Sequence, residues 1–158
     1  MIEINELREK IIELYDECIE NSYQFHRKLD LFQVPDSLAL IIKQKTTIDI
    51  YGYWVCIDNY GIRHTLEHHG NPISEAKRGQ LNIVKEDFVT MIDVCLYPDN
   101  IKFSDNAKNN QRYLQFEKEI ENKIFIVKEV RTVTSTKKNK INRLMFHTMY
   151  KIKATNKN

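Results

Sequence analysis

Lys85-Glu86-Asp87-Phe88-Val89-Thr90-Met91-Ile92-Asp93-Val94-Cys95-Leu96, followed by Tyr97-Pro98-Asp99, is where the chain changes character. Before the proline, Phe88, Met91, Ile92 and Cys95 recur at three- and four-residue intervals, the spacing of one face of an α-helix. Pro98 has no amide hydrogen to continue the ladder and closes that helix. Beyond it the apolar period falls to two, and short strands are expected around Ile101 and then over 112–117, 124–131 and 144–152. The step Glu121-Asn122-Lys123 and the polar run from Ser135 to Asn142 read as hairpin connections.

Toward the N-terminus the helical period dominates. Ile4, Leu7, Ile11, Leu14, Tyr15, Cys18 and Ile19 form one stripe of an amphipathic helix over 5–23, whose outer face carries Glu6, Glu9, Glu13, Glu17 and Glu20. Val34-Pro35-Asp36-Ser37 reads as a turn into a short helix over 38–45, because proline holds the preceding residue extended and Asp or Ser caps the helix after it. Residues 53–57 read as a strand stopped by the cap Asp58-Asn59, and a helix over 62–69 is expected to end at Gly70 in a left-handed cap. The stretch 71–80, with Pro72, Ser74 and Gly79, reads as loop, and 155–158 as disordered. Helices first and neighbouring strands last indicate an α+β fold: N-terminal helices followed by a roughly four-stranded antiparallel sheet. The 158 residues suit one compact unit, divided into an N-terminal amphipathic helix (1–30) and an α+β domain (31–158).

With 42% hydrophobic and 29% charged residues the composition is globular, and no run approaches the roughly 20 apolar residues of a membrane span. The opening MIEINELREK lacks the basic and apolar regions of a secretory signal, so a soluble, cytoplasmic protein is expected. Cys18, Cys56 and Cys95 are an odd number at wide spacing, which fits neither a disulfide framework nor a thiolate metal site. The net charge of +2 conceals an asymmetry: residues 1–117 hold 13 Lys+Arg against 19 Asp+Glu, and 118–158 hold 11 against 3, a net +8. A basic end of this kind is the footprint of a phosphate-binding surface, and a solvated lysine face gives the same count.

The densest titratable cluster is Arg63-His64-Thr65-Leu66-Glu67-His68-His69-Gly70, which holds three of the five histidines. Two chemistries fit it. His64-Thr65-Leu66-Glu67-His68 matches H-x-x-E-H, in which histidines four apart bind zinc and the glutamate activates water, although a third ligand is then required from elsewhere. The other is metal-free RNA cleavage, in which the ribose 2′-OH attacks the adjacent phosphate. That reaction needs a general base, a general acid and donors for the phosphorane, but no cofactor. Arg131, in Val130-Arg131-Thr132, and Thr148, Tyr150 and Lys151, in His147-Thr148-Met149-Tyr150-Lys151, supply the charge-stabilising groups.

The ordered set Ile62-Arg63-His64-Thr65, His69-Gly70, Arg78-Gly79-Gln80-Leu81-Asn82-Ile83, Glu86-Asp87-Phe88, Tyr97-Pro98-Asp99, Glu129-Val130-Arg131 and Thr148-Met149-Tyr150-Lys151 resembles the phage-associated nucleases of the barnase, EndoU, colicin and RelE superfold across about residues 36–153. The resemblance implies a barnase/RelE-like sheet with helices on one face and an RNA groove on the other. In it His64 and His69, five apart with Gly70 following, share the base and acid roles, and His68 is an extra residue. Arg131, Thr148 and Tyr150 would bind the phosphate, Arg63, Lys128, Arg143, Lys151 and Lys153 the rest of the RNA, and no metal. His147 is a third candidate. Strand alternation places it opposite Thr148, and Lys151 opposite Thr148 and Tyr150, unless a bulge intervenes.

The leading expectation is therefore a toxin-like, metal-independent RNA endonuclease acting by 2′-OH transesterification, with RNA as partner and an antitoxin or immunity protein to neutralise it. The alternatives are an inactive relative that only binds RNA or protein, and a zinc peptidase.

Overall fold

The computed structural model describes residues 3–21, 25–106, 111–135 and 140–154, with side chains described except at 104–106, 111–112, 131–135 and 140. Eleven elements occur in order among them: α1 (Ile4–Glu20), β1 (Lys28–Gln33), α2 (Asp36–Thr46), β2 (Trp54–Asp58), α3 (Asn59–His69), α4 (Pro72–Lys77), α5 (Lys85–Leu96), β3 (Asn100–Asn106), β4 (Gln111–Ile120), β5 (Lys123–Ser135) and β6 (Lys140–Lys153). The expected disorder at 155–158 and the middle of the expected connection at 135–142 lie outside the described residues.

The class is α+β as expected, but the sheet has six strands in the order β1-β2-β6-β5-β4-β3 and is mixed. β3 through β6 form the expected antiparallel meander. The four-strand expectation falls short because β2 docks parallel to β6, Trp54 opposite Arg143 and Cys56 opposite Met145, and β1 then pairs antiparallel with β2. Lys28–Gln33 is short and begins at the join between an acidic helix and a proline turn, so its alternation is too brief to register as a strand. The β4–β5 hairpin turns on Glu121 and Asn122, both at positive φ (49° and 63°), the mirror-image turn whose twist matches its strands.

α1 and α5 pack on one side of the sheet. Leu7, Ile11 and Leu14 of α1 join Phe88, Met91 and Ile92 of α5 and Phe116, Val127 and Leu144 of the sheet in one core. The opposite side carries the part-exposed Gln115, Lys128 and Tyr150. Two local expectations change. Gly70 is right-handed (φ −91°, ψ −13°), and a Cβ there would meet the Leu66 carbonyl, so close packing rather than a left-handed turn suits glycine. The 71–80 stretch is not all loop: Asn71 caps α4, its Oδ1 accepting from the Ile73 and Ser74 amides, with Pro72 at the first helical position. All three cysteines are free and buried.

Candidate active site

The site forms where β2 ends and α3 takes its place beside β6. β2 reaches Asp58, whose Oδ1 accepts from the Gly61 amide at 2.8 Å and caps the helix. α3 then runs against β6, with Ile62 and Thr65 buried. Glycine at 61 permits this approach, since a Cβ would stand 2.7 Å from the Phe146 carbonyl oxygen.

A β-bulge in β6 decides which side chains meet the helix. Lys128 pairs with Thr148 and Glu129 with Phe146, so His147 is the extra residue. The insertion lets Phe146 and Met149, three apart, both enter the core, and it keeps Tyr150 on the other side of the sheet. At the bulge the His147 ring lies 4.7 Å from that of His64 and 5.0 Å from that of Tyr113, and His64 lies 4.4 Å from His68. Burial pushes the His64 and His147 pKa values down. His68 adds repulsion at His64, and His64 and then Lys128 add it at His147. Both rings are therefore held toward the neutral form, which accepts a proton. Beside them opens a cleft of about 500 Å³ walled by His26, Asp58, Tyr60, His64, Phe146 and His147.

One and a half helical turns further on, a second group forms. His69 donates from Nδ1 to Glu75 Oε2 at 3.1 Å, and Glu75 is fully buried. The second Glu75 oxygen accepts from Arg78, which also donates to the His68 carbonyl. The His69 ring stands 5.6 Å from that of Tyr150, and Lys128 Nζ lies 5.9 Å from the Tyr150 ring centre. Burial, and then the charge of Glu117, raise the Tyr150 pKa, so its hydroxyl keeps its proton as a donor.

Thus His64 and His69 of α3, His147 and Tyr150 of β6 and Lys128 of β5 are brought to one side of the sheet through pairwise contacts. The nearest ring partners of His64 are His68 and His147. His69 remains helical and meets Tyr150, so the two histidines of the five-residue spacing contact different rings of β6, with His69 near enough for its charge to bear on His64. Thr148 is nearly buried, and its enclosed Oγ1 has no hydrogen-bond partner among the described residues. Arg131 sits in β5 opposite Leu144, and its side chain lies outside the described residues.

Four expected RNA contacts are placed elsewhere. Lys151 is buried on the core side, opposite Tyr150 as strand alternation expects, and donates to Asp87 at 2.7 Å. Arg143 is held by both oxygens of Asp30 at 2.8 and 3.0 Å, tying β6 to β1, and Arg63 donates to the Asn21 carbonyl beyond α1. Lys153 is exposed at the far end of the sheet, opposite Lys123. Glu75, Tyr113 and His26 are not legible as site residues in the sequence. Arg78-Gly79-Gln80 is the nearest signal for the Glu75 group, and nothing local marks Tyr113.

The zinc arrangement lacks support from geometry. Among the described residues no three His, Cys, Asp or Glu side chains are grouped to hold a metal ion, and His68 and Glu67 are exposed on α3. No described helix is long and apolar enough to cross a membrane. Neither a curated protein nor a solved structure matches the chain. A family model does match, over residues 33–158, which takes in every element from α2 to β6 and both histidine groups. The chain belongs to the phage-Barnase-EndoU-ColicinE5/D-RelE like nuclease3 family (PBECR3).

Proposed function

We propose that this nuclease is an RNA endonuclease that works without a metal, the 2′-OH of the substrate attacking its own 3′-phosphate. The observation that carries the reading is the contact of His64 with the bulged His147, at 4.7 Å, beside the contacts of Tyr150 with His69 and Lys128. A neutral imidazole takes the hydroxyl proton, and burial, with the neighbouring His68, keeps His64 neutral. His69, fixed through Nδ1 by Glu75, has Nε2 left for the leaving 5′-oxygen and returns a proton to it. Lys128 and the Tyr150 hydroxyl meet charge on the phosphorane. The bond formed is 2′-O to phosphorus, the bond broken is phosphorus to 5′-O, and the products are a 2′,3′-cyclic phosphate and a 5′-hydroxyl.

The basic C-terminal end, net +8 over 118–158, fits a polyanionic substrate. Growth inhibition on expression is expected, and a neutralising protein would act by covering the cleft beside His64. The experiment is incubation of EDTA-stripped protein with single-stranded RNA and with DNA of the same sequence. RNA cut to 2′,3′-cyclic phosphate ends and intact DNA support the reading. Activity that disappears with EDTA and returns with zinc, or equal cutting of DNA, overturns it.

A further inference from the structure

Two residues lining the cleft beside His64 and His147, His26 and Lys28, come from a segment ahead of the matched residues 33–158. Asn59, fully buried at the start of α3, straddles His26: its Oδ1 accepts from the Arg27 amide at 2.8 Å, and its Nδ2 donates to the Phe25 carbonyl. The Asn59 amide also donates to the Arg27 carbonyl at 3.3 Å. The backbone on both sides of His26 is thus fastened to the helix, and the ring between is set. His26 Nε2 donates to Asp58 Oδ2 at 3.1 Å, and the ring stacks on Tyr60 with centres 4.8 Å apart and planes 28° apart.

Capping α3 requires only Asp58 Oδ1 and the Gly61 amide, and fastening the segment uses only backbone and Asn59. Neither task needs a ring at 26 or at 60, yet two rings are held face to face and part-exposed at the mouth of the cleft, Tyr60 at 48%. Lys28 lines the same cleft. A cleft of about 500 Å³ lies within the range of small-ligand sites, and exposed aromatic faces beside a cation are what single-stranded nucleic acid stacks on.

We infer that this cleft is a nucleobase subsite: a base flanking the scissile phosphate stacks on the Tyr60–His26 pair, and Lys28 meets its phosphate. The inference rests on the RNA-cleavage reading for what the bound nucleotide is part of. Its test does not need cleavage. The four nucleoside 5′-monophosphates, which contain no internal phosphodiester, are titrated into protein observed by NMR at the histidine rings. Shifts at His26 together with His64, lost in Tyr60→Ala and kept in Tyr60→Phe, are expected. In the cleavage assay Tyr60→Ala should raise KM for single-stranded RNA roughly 10-fold with kcat little changed, and Tyr60→Phe should restore it. Unmoved His26 with all four nucleotides, or a Tyr60→Ala enzyme with wild-type KM and a lower kcat, overturns the subsite. If nucleotides shift His26 but no RNA is cut, the subsite stands and the cleavage reading falls. If RNA is cut and His26 stays unmoved, the reverse holds.

Discussion

Tyr150 and Lys151 are neighbours on β6 with opposite surroundings. Lys151 is buried, and its charge is met by Asp87 at 2.7 Å, a carboxylate that also accepts from the Val84 amide at the start of α5. Glu129, on the same side of the sheet, is fully buried against the Cys95 thiol at 3.0 Å, and burial pushes its pKa up to about 8. Across the sheet, His64 meets His147 and His69 meets Tyr150 through tilted rings, and among the described residues no hydrogen bond joins His64 to His147. Both sides hold polar groups away from water, but the core side meets Lys151 with Asp87 and one oxygen of Glu129 with Cys95, while the cleft side leaves His64 and His147 beside the cleft. A charge satisfied by the protein stabilises the fold, whereas an imidazole held neutral beside a cleft is available for chemistry.

Substitutions should separate the two sides. His64→Ala should lower nuclease turnover by about 10²- to 10⁴-fold, the usual share of one acid–base group, with the thermal midpoint nearly unchanged. A Tm fall with turnover retained would move His64 to the structural side. Lys151→Ala should do the reverse, costing about 3–5 kcal/mol of stability because Asp87 is left buried and unpaired, with turnover per folded molecule retained. Urea unfolding against pH should show both sides with opposite signs. The His64 and His147 pKa values are depressed below 6.5, so the unfolded chain binds more protons and stability falls as pH drops below 6.5. Glu129 is raised from 4.5 to about 8, so the folded chain holds the extra proton and stability falls as pH rises across that window. Glu129→Gln should remove only the fall between pH 4.5 and about 8. Smallest of all, Lys28→Ala should weaken RNA binding evenly across sequences and reduce the slope of log affinity against log salt by about one.

The same contrast explains what the chain discloses unaided. The period change at Tyr97-Pro98-Asp99 marks the meander, and 85–96 reads as the helix α5 observed, because each is written in local spacing. Parallel docking of β2 on β6 is a pairing about 90 residues apart in sequence with no local trace. His64 and His69 stand out by density. The partner of His64 is His147, brought there by a bulge, and one inserted residue reverses every parity argument downstream of it. Lys151 faces away from Thr148 and Tyr150 as alternation expects, but a lysine in a basic strand reads as an RNA contact until its partner Asp87, 64 residues earlier, is known. Glu75 and Arg78 join the site only because α4 folds back on the end of α3.

The claim that the His64–His147 pair is a site of 2′-OH transesterification is met most directly by one substrate change. Once the cleavage position in an RNA is mapped, the same strand is made with a single 2′-deoxy residue on the 5′ side of that bond and incubated with the protein in EDTA. The account predicts that cutting at that bond stops while neighbouring bonds are cut as before, and that the all-ribose strand carries a 2′,3′-cyclic phosphate at its new end. Undiminished cutting at the deoxy position would contradict it, because the nucleophile would then be water or a protein group.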